Sequence, residues 1–220
     1  MLKGIDVSRH NRAMKDIRDI NNYDFVIMKA TEGLGYVDSS APLYMRAMEG
    51  QDTLKGFYHF CRADLGNDPA LEAENFIRRV TYLTHAEDLT DIKPLLALDV
   101  EGAALQEPFI DAWCEAWCRC VYNAFGYLPL IYTSESYCKL FKHTAKLGVG
   151  LWCAKWGNNK PKKIKPWEFY AIWQYRSDAI LSGVRVDENR FNGNKSQFLK
   201  YCGVEDHEEI KNNNTESTTD

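Results

Sequence analysis

Pro94-Leu95-Leu96-Ala97-Leu98-Asp99-Val100-Glu101-Gly102 is the stretch on which the fold turns. An apolar run without polar alternation, four to eight residues long and closed by acids and a glycine, is the pattern of a strand buried on both faces. Such strands belong to parallel sheets covered by helices. Side chains alternate along a strand, so Leu95, Ala97, Asp99 and Glu101 share one side, while Leu96, Leu98 and Val100 share the other. The run therefore delivers two carboxylates, facing the same way, to its C-terminal end.

Working outward from Pro94–Glu101, similar signals place strands at Lys3–Ser8, Phe25–Ala30, Gly56–Cys61, Leu128–Thr133, Leu151–Lys155, Tyr170–Tyr175 and Val186–Phe191. Helical segments lie between the early strands. One starts at Asp68-Pro69, with proline at the first helical position, and runs through Leu71, Asn75, Ile77 and Val80. Another runs from Pro108 through Trp113, Trp117 and Val121 to Gly126, and a shorter one spans Ser134–Phe141. After Thr133 the pattern changes. The gap from Trp156 to Glu168 is rich in lysine and proline without helical period, and Arg176–Arg185 is too short for a crossover helix with its loops. The expected class is α/β: an irregular TIM-like barrel of about eight strands, with helices mainly around the first five. No glycine-rich dinucleotide loop supports an open doubly wound sheet.

Composition bounds the partners. The 220 residues are 45% hydrophobic, enough for one sizeable core, and 27 basic against 31 acidic residues give a formal net charge of −4. That balance offers no basic face for nucleic acid. No apolar run approaches the ~20 residues of a membrane helix, so no membrane insertion is expected. Met1-Leu2-Lys3-Gly4-Ile5-Asp6 leads directly into a strand rather than through a secretory leader, so synthesis in a cytoplasm without a standard signal is expected. The seven cysteines, Cys61, Cys114, Cys118, Cys120, Cys138, Cys153 and Cys202, are scattered through apolar segments and are read as buried free thiols. Cys114, Cys118 and Cys120 lie close together, but Cys120 falls off the helix face of the other two and no histidine stands at zinc-ligand spacing. Residues 1–203 are read as one domain and 204–220, acidic and then Asn/Thr/Ser-rich, as a solvated tail.

The chemistry is expected where strands end in acids. In a barrel, Asp99 and Glu101 face inward at the C-terminal mouth, where barrel active sites lie. Closure makes the first and last strands neighbours, which brings Asp6 and Asp187 to the same rim. Acids so close in a partly dry cleft cannot all ionise cheaply, so at least one carries a raised pKa. The bland alternative is that each acid merely caps a loop. A metal site is the rival reading of four carboxylates, although a catalytic metal in a barrel usually takes a histidine as well. His59, in Phe57-Tyr58-His59-Phe60, faces away from Tyr58 and is read as packed beneath a helix rather than as a ligand.

Gly4-Ile5-Asp6-Val7-Ser8, Lys29-Ala30-Thr31-Glu32-Gly33, Gly56-Phe57-Tyr58-His59-Phe60, Leu98-Asp99-Val100-Glu101, Ile131-Tyr132-Thr133-Ser134, Trp173-Gln174-Tyr175 and Asp187-Glu188-Asn189-Arg190-Phe191-Asn192-Gly193 follow one another along the chain. In order and spacing this set resembles the glycoside hydrolase family 25 lysozymes, the Chalaropsis-type N-acetylmuramidases, over residues 2 to about 202. The resemblance implies an irregular eight-stranded barrel and hydrolysis of the β-1,4 bond between N-acetylmuramic acid and N-acetylglucosamine in peptidoglycan. Matched position by position, Glu101 falls on the proton donor and Asp99 on the acid that acts on the substrate's 2-acetamido group. Asp6 and Asp187 fall on the two further site carboxylates, and Tyr58, Tyr132, Trp152 and Gln174 on cleft-lining positions. One departure is Trp156, which stands where family members often carry tyrosine and so bears on a sugar subsite.

Residues two apart on a strand have Cα atoms about 6.7 Å apart and project the same way. Asp99 and Glu101 are therefore poorly placed to flank a sugar from opposite faces, as a nucleophile–acid or base–acid pair must. Attack by the substrate's own acetamido oxygen removes the difficulty, while an inverting route using Asp6 or Asp187 as base stays open. The expectation is a monomeric, cofactor-free and metal-free phage endolysin reaching the wall through a separate holin, with a bacterial autolysin as the alternative. A non-catalytic barrel that binds wall glycan and a metal-dependent barrel hydrolase are the competing functions.

Overall fold

A computed structural model describes residues 1–86 and 93–204. Nine strands form one sheet: β1 (Leu2–Val7), β2 (Phe25–Glu32), β3 (Tyr36–Val37), β4 (Leu54–Phe60), β5 (Leu95–Asp99), β6 (Leu130–Ser134), β7 (Gly150–Ala154), β8 (Ile172–Leu181) and β9 (Val184–Phe191). They run in the order β1-β9-β8-β7-β6-β5-β4-β2-β3, and pairing of β1 with β2 closes the sheet into an eight-stave barrel, with β3 folded back onto β2. Neighbours from β1 through β2, β4, β5, β6 and β7 to β8 are parallel; β9 is antiparallel to both β8 and β1. That inversion matters. An antiparallel stave begins at the mouth where the others end, so Asp187, early in β9, sits directly opposite Asp6, late in β1.

Two apolar layers follow from the alternation of side chains. Ile27, Leu95, Ala97 and Leu130 fill the barrel interior, whereas Leu96, Leu98 and Val100 face the surrounding helices. The foot of the barrel is plugged by Phe25, Phe191 and Phe198, with ring centroids 5.3 and 5.1 Å from Phe198. Phe25 lies so close to Gly4 that a Cβ there would come within 2.3 Å of the ring, which restricts that position to glycine.

Among the described residues five α-helices accompany the sheet: α1 (Ala41–Ala47), α2 (Pro69–Ala86), α3 (Ile110–Phe125), α4 (Lys142–Lys146) and α5 (Lys195–Lys200). Asp68 caps α2 by accepting from the Ala70 N–H at 2.8 Å. Ala73, Phe76, Val80 and Leu83, spaced three and four apart, turn its apolar stripe inward. α3 buries Cys114, Trp117, Cys118 and Val121 and stops at Gly126, whose φ of +80° suits a left-handed cap. All seven cysteines are free thiols, and only Cys120 is not buried.

Several expected boundaries need correction. The strand expected over Pro94–Glu101 ends at Asp99; the backbone stays extended through Glu101, and Gly102 at φ +60° then turns it away. Arg176–Arg185 is not a connection. β8 continues to Leu181 and meets β9 through Ser182-Gly183, both at positive φ, because a two-residue hairpin needs that twist. The helix expected over Ser134–Phe141 is a 3-10 turn, Glu135–Leu140, followed by α4, and the sequence reading missed α1 and α5. Of the expected tail, only Val204 is described; its N–H donates to the Leu199 carbonyl at 3.1 Å, and 205–220 lie outside the described residues. No helix among the described residues is long and apolar enough to cross a membrane.

Candidate active site

The C-terminal ends of the parallel staves enclose an open cleft of about 450 Å³. All eight residues singled out from the sequence line it: Asp6, Asp99, Glu101, Asp187, Tyr58, Tyr132, Trp152 and Gln174. A hollow of about 230 Å³ at the opposite end, between Leu54, Lys55, Phe198 and Cys202, holds a single acid among the described residues, Asp52. Among the described residues, the convergence of acids is confined to the mouth.

Register explains the arrangement. Asp99 pairs with Tyr132 across β5 and β6, and Tyr132 with Trp152 across β6 and β7, so three consecutive staves present inward residues at one level. Trp152 is only 2% exposed, and its indole N–H donates to Asn189 Oδ1 at 2.8 Å; it backs the cleft wall, its ring meeting Tyr132 edge-on with centroids 4.8 Å apart. Tyr132 O–H donates to Gln174 Oε1 at 3.0 Å. The Gln174 amide nitrogen, so oriented, donates to Asp6 Oδ2 at 3.0 Å and to Asp187 Oδ2 at 3.4 Å. Asn189 Nδ2 adds a bond to Asp6 Oδ2 at 2.8 Å.

Every acid of the rim is shifted toward its protonated form. Burial and the facing Asp187 push Asp6 up to about 8, although the Asn189 and Gln174 amides favour its charge. Burial and Glu101 lift Asp187 to about 6. Facing each other, the two lose their protons in steps that belong to the pair rather than to either residue. Asp99 is raised well above the usual carboxylate range by burial and by Glu101, and its buried Oδ1 has no hydrogen-bond partner among the described residues. Glu101 stands at the outer lip, open to solvent on one side; the protein around it raises its carboxyl, and Lys29 draws it back. Lys29 itself bonds Glu32 at 2.7 Å.

Asn189 and Lys29 were not singled out from the sequence, yet both were reachable by alternation: Asn189 is two residues past Asp187, and Lys29 two past inward-facing Ile27. His59 lies outside the barrel wall, as expected. It is fully buried between Thr31 Oγ1 and Glu72 Oε2, each at 2.8 Å, and burial lowers its pKa so that the neutral ring is favoured.

Paired acids in an aromatic-walled cleft at a barrel mouth are the arrangement of a glycoside hydrolase. The chain belongs to glycosyl hydrolases family 25, whose sequence model matches residues 5–184. The autolytic lysozyme of Clostridium acetobutylicum is 28% identical over 191 residues, covering 83% of this chain and 53% of that protein, so the chain spans about half the length of this curated relative. A family 25 lysozyme from Aspergillus fumigatus shares the fold at a TM-score of 0.73 and 24% identity, over 91% of this chain and 98% of that one. The catalytic domain of an endolysin from a Listeria monocytogenes bacteriophage superposes at 0.68 with 20% identity, over 93% and 98%.

Proposed function

We propose that the protein is a peptidoglycan N-acetylmuramidase, a lysozyme cutting the β-1,4 bond between N-acetylmuramic acid and N-acetylglucosamine. The observation that carries this reading is the asymmetry between Asp99 and Glu101. Both come from one stave and face one cleft, but Asp99 is 8% exposed with an oxygen that has no partner among the described residues, and Glu101 is at the open lip. A glycosidic oxygen entering from solvent meets Glu101 first, and Glu101 supplies the proton it needs to leave. Asp99 holds the acetamido N–H, so that the amide oxygen attacks the anomeric carbon as the C–O bond breaks. Water then opens the cyclic intermediate, giving its proton back to Glu101. Negative charge on the Asp6–Asp187 pair stabilises the positive charge that develops on the ring.

Family membership and the autolytic relative support peptidoglycan as substrate, and the endolysin likeness fits the same wall-cutting work. The test is product analysis. Purified wall digested by the protein, reduced with borohydride and examined by mass spectrometry should yield muramitol at the new reducing ends. Glucosaminitol would make it a glucosaminidase, and new free amino groups would make it an amidase or peptidase.

A further inference from the structure

The net charge of −4 is unevenly spread along the chain. Residues 136–167 hold eight of the 27 basic residues, all of them lysine, and none of the 31 acidic ones. The fold gathers half of these lysines in the connections on either side of β7. Lys139, Lys142, Lys146 and Lys165, with His143, line an open groove of about 690 Å³ that shares no lining residue with the catalytic cleft. All four lysines are exposed, and none has a carboxylate partner among the described residues.

Both walls of the groove are anchored from behind. Asp111 of α3 accepts from the His143 and Thr144 N–H groups at 2.7 and 2.9 Å, which fixes α4. Glu135 accepts from the Lys162 and Lys163 N–H groups at 2.5 and 2.9 Å, and from Lys155 Nζ at 3.1 Å, so the proline-rich segment is tied to the 3-10 turn. Ile164 and Trp167 are buried beneath that segment, and the Trp167 indole N–H donates to the Val149 carbonyl at 2.8 Å. Lys160, Lys162 and Lys163 stay exposed and extend the charge beyond Lys165. Like charges held this way repel one another, and an anionic partner relieves the repulsion.

The lining selects the kind of anion. Lysine is a compact point charge that suits phosphate, without the planar fork by which arginine grips a carboxylate. The only other lining residues among those described are Ala145 and Pro166. The groove therefore offers no aromatic face on which a nucleobase could stack and no large apolar side chain to enter a bilayer. A flexible chain of phosphodiesters needs neither. We propose that this groove docks a polyol-phosphate polymer of the bacterial wall, holding the enzyme at its substrate without taking part in cleavage. The inference rests on the peptidoglycan reading above, which sets the work of the protein at the wall.

Soluble poly(glycerol phosphate), free of lipid and of aminoacyl esters, is the probe, titrated calorimetrically at low ionic strength. The parent should bind it. Lys139→Gln, Lys142→Gln, Lys146→Gln and Lys165→Gln together should weaken binding at least about tenfold, and arginine at the same four positions should keep it within about threefold. The arginine variant separates lost charge from lost folding. Salt at about 0.5 M, where the Debye length is about 4 Å, should erase the difference between parent and glutamine variant. Hydrolysis of short soluble glycan by the glutamine variant should stay within about twofold of the parent. No binding by the parent, or equal binding by the glutamine variant, overturns the proposal. Tighter binding to anionic phospholipid vesicles, or to a single-stranded oligonucleotide at equal phosphate concentration, overturns it too, in favour of a membrane or a nucleic acid. If muramitol still forms at the new reducing ends, such failures leave the muramidase reading intact; if the polymer binds and no muramitol forms, the docking surface stands and that reading falls.

Discussion

Two buried acids, Glu72 and Asp99, sit on opposite faces of the same barrel wall, and their surroundings are built on opposite terms. Outside, beneath α2, Glu72 is fully buried and its oxygens accept from His59 Nε2, the Arg62 backbone N–H and Asn67 Nδ2 at 2.8, 3.1 and 2.6 Å. Inside, Asp99 is almost as buried, yet its Oδ1 finds no partner among the described residues, and the nearest charges are mostly other acids. Adjacent residues can serve both: on β4, His59 points out into the satisfied cluster and Tyr58 points in to the cleft. A satisfied buried acid contributes to stability, and an unsatisfied one costs stability. The fold accepts that cost only at the mouth, where a substrate can provide the missing partner.

This contrast breaks down if variants on the two faces behave alike. Asp99→Asn should lower kcat by about 10²-fold or more, since general acid–base and electrostatic roles are of that size. The same variant should be more stable than the parent near neutrality, by about 1 kcal/mol in urea unfolding. The pH dependence fixes the sign. A carboxyl whose folded pKa is raised favours folding when protonated and opposes it as pH climbs through that pKa, so the gain should grow with pH and vanish below about 4. Glu72→Ala should do the reverse, losing about 3 kcal/mol of stability while kcat stays within about twofold at permissive temperature. Gln174→Ala removes a donor that favours ionised Asp6, so Asp6 should rise further and a rate-limiting step that needs it charged should move to higher pH; a pH–rate profile reads that shift. Incubation with EDTA should change the rate least of all, within assay error; a loss restored by metal would favour the metal-dependent hydrolase.

Much of this was legible from residues alone, and for identifiable reasons. The apolar runs of β2 and β5 are buried on both faces, so composition marks them, and alternation from Leu95 aims Asp99 and Glu101 correctly. The β8–β9 hairpin was missed because Arg176, Asp178 and Ile180 project outward into solvent, leaving no apolar run; Ser182-Gly183 was the available turn signal. α1 and α5, at seven and six residues, are too short for a helical period to stand out. The chain of bonds from Tyr132 through Gln174 to Asp6 joins β6, β8 and β1. Only the closed barrel sets their relative register, so no local pattern announces it.

The most direct test of the division of labour at the mouth is Glu101→Gln, assayed for wall hydrolysis alongside its affinity for peptide-free glycan. The amide keeps the shape of the side chain and removes the proton to be donated. Hydrolysis should fall by at least about 10²-fold, with unfolding midpoint and glycan affinity nearly unchanged. A variant that keeps more than about a tenth of the parent rate would contradict this division, because the acid that protonates the leaving sugar would then have to be another residue.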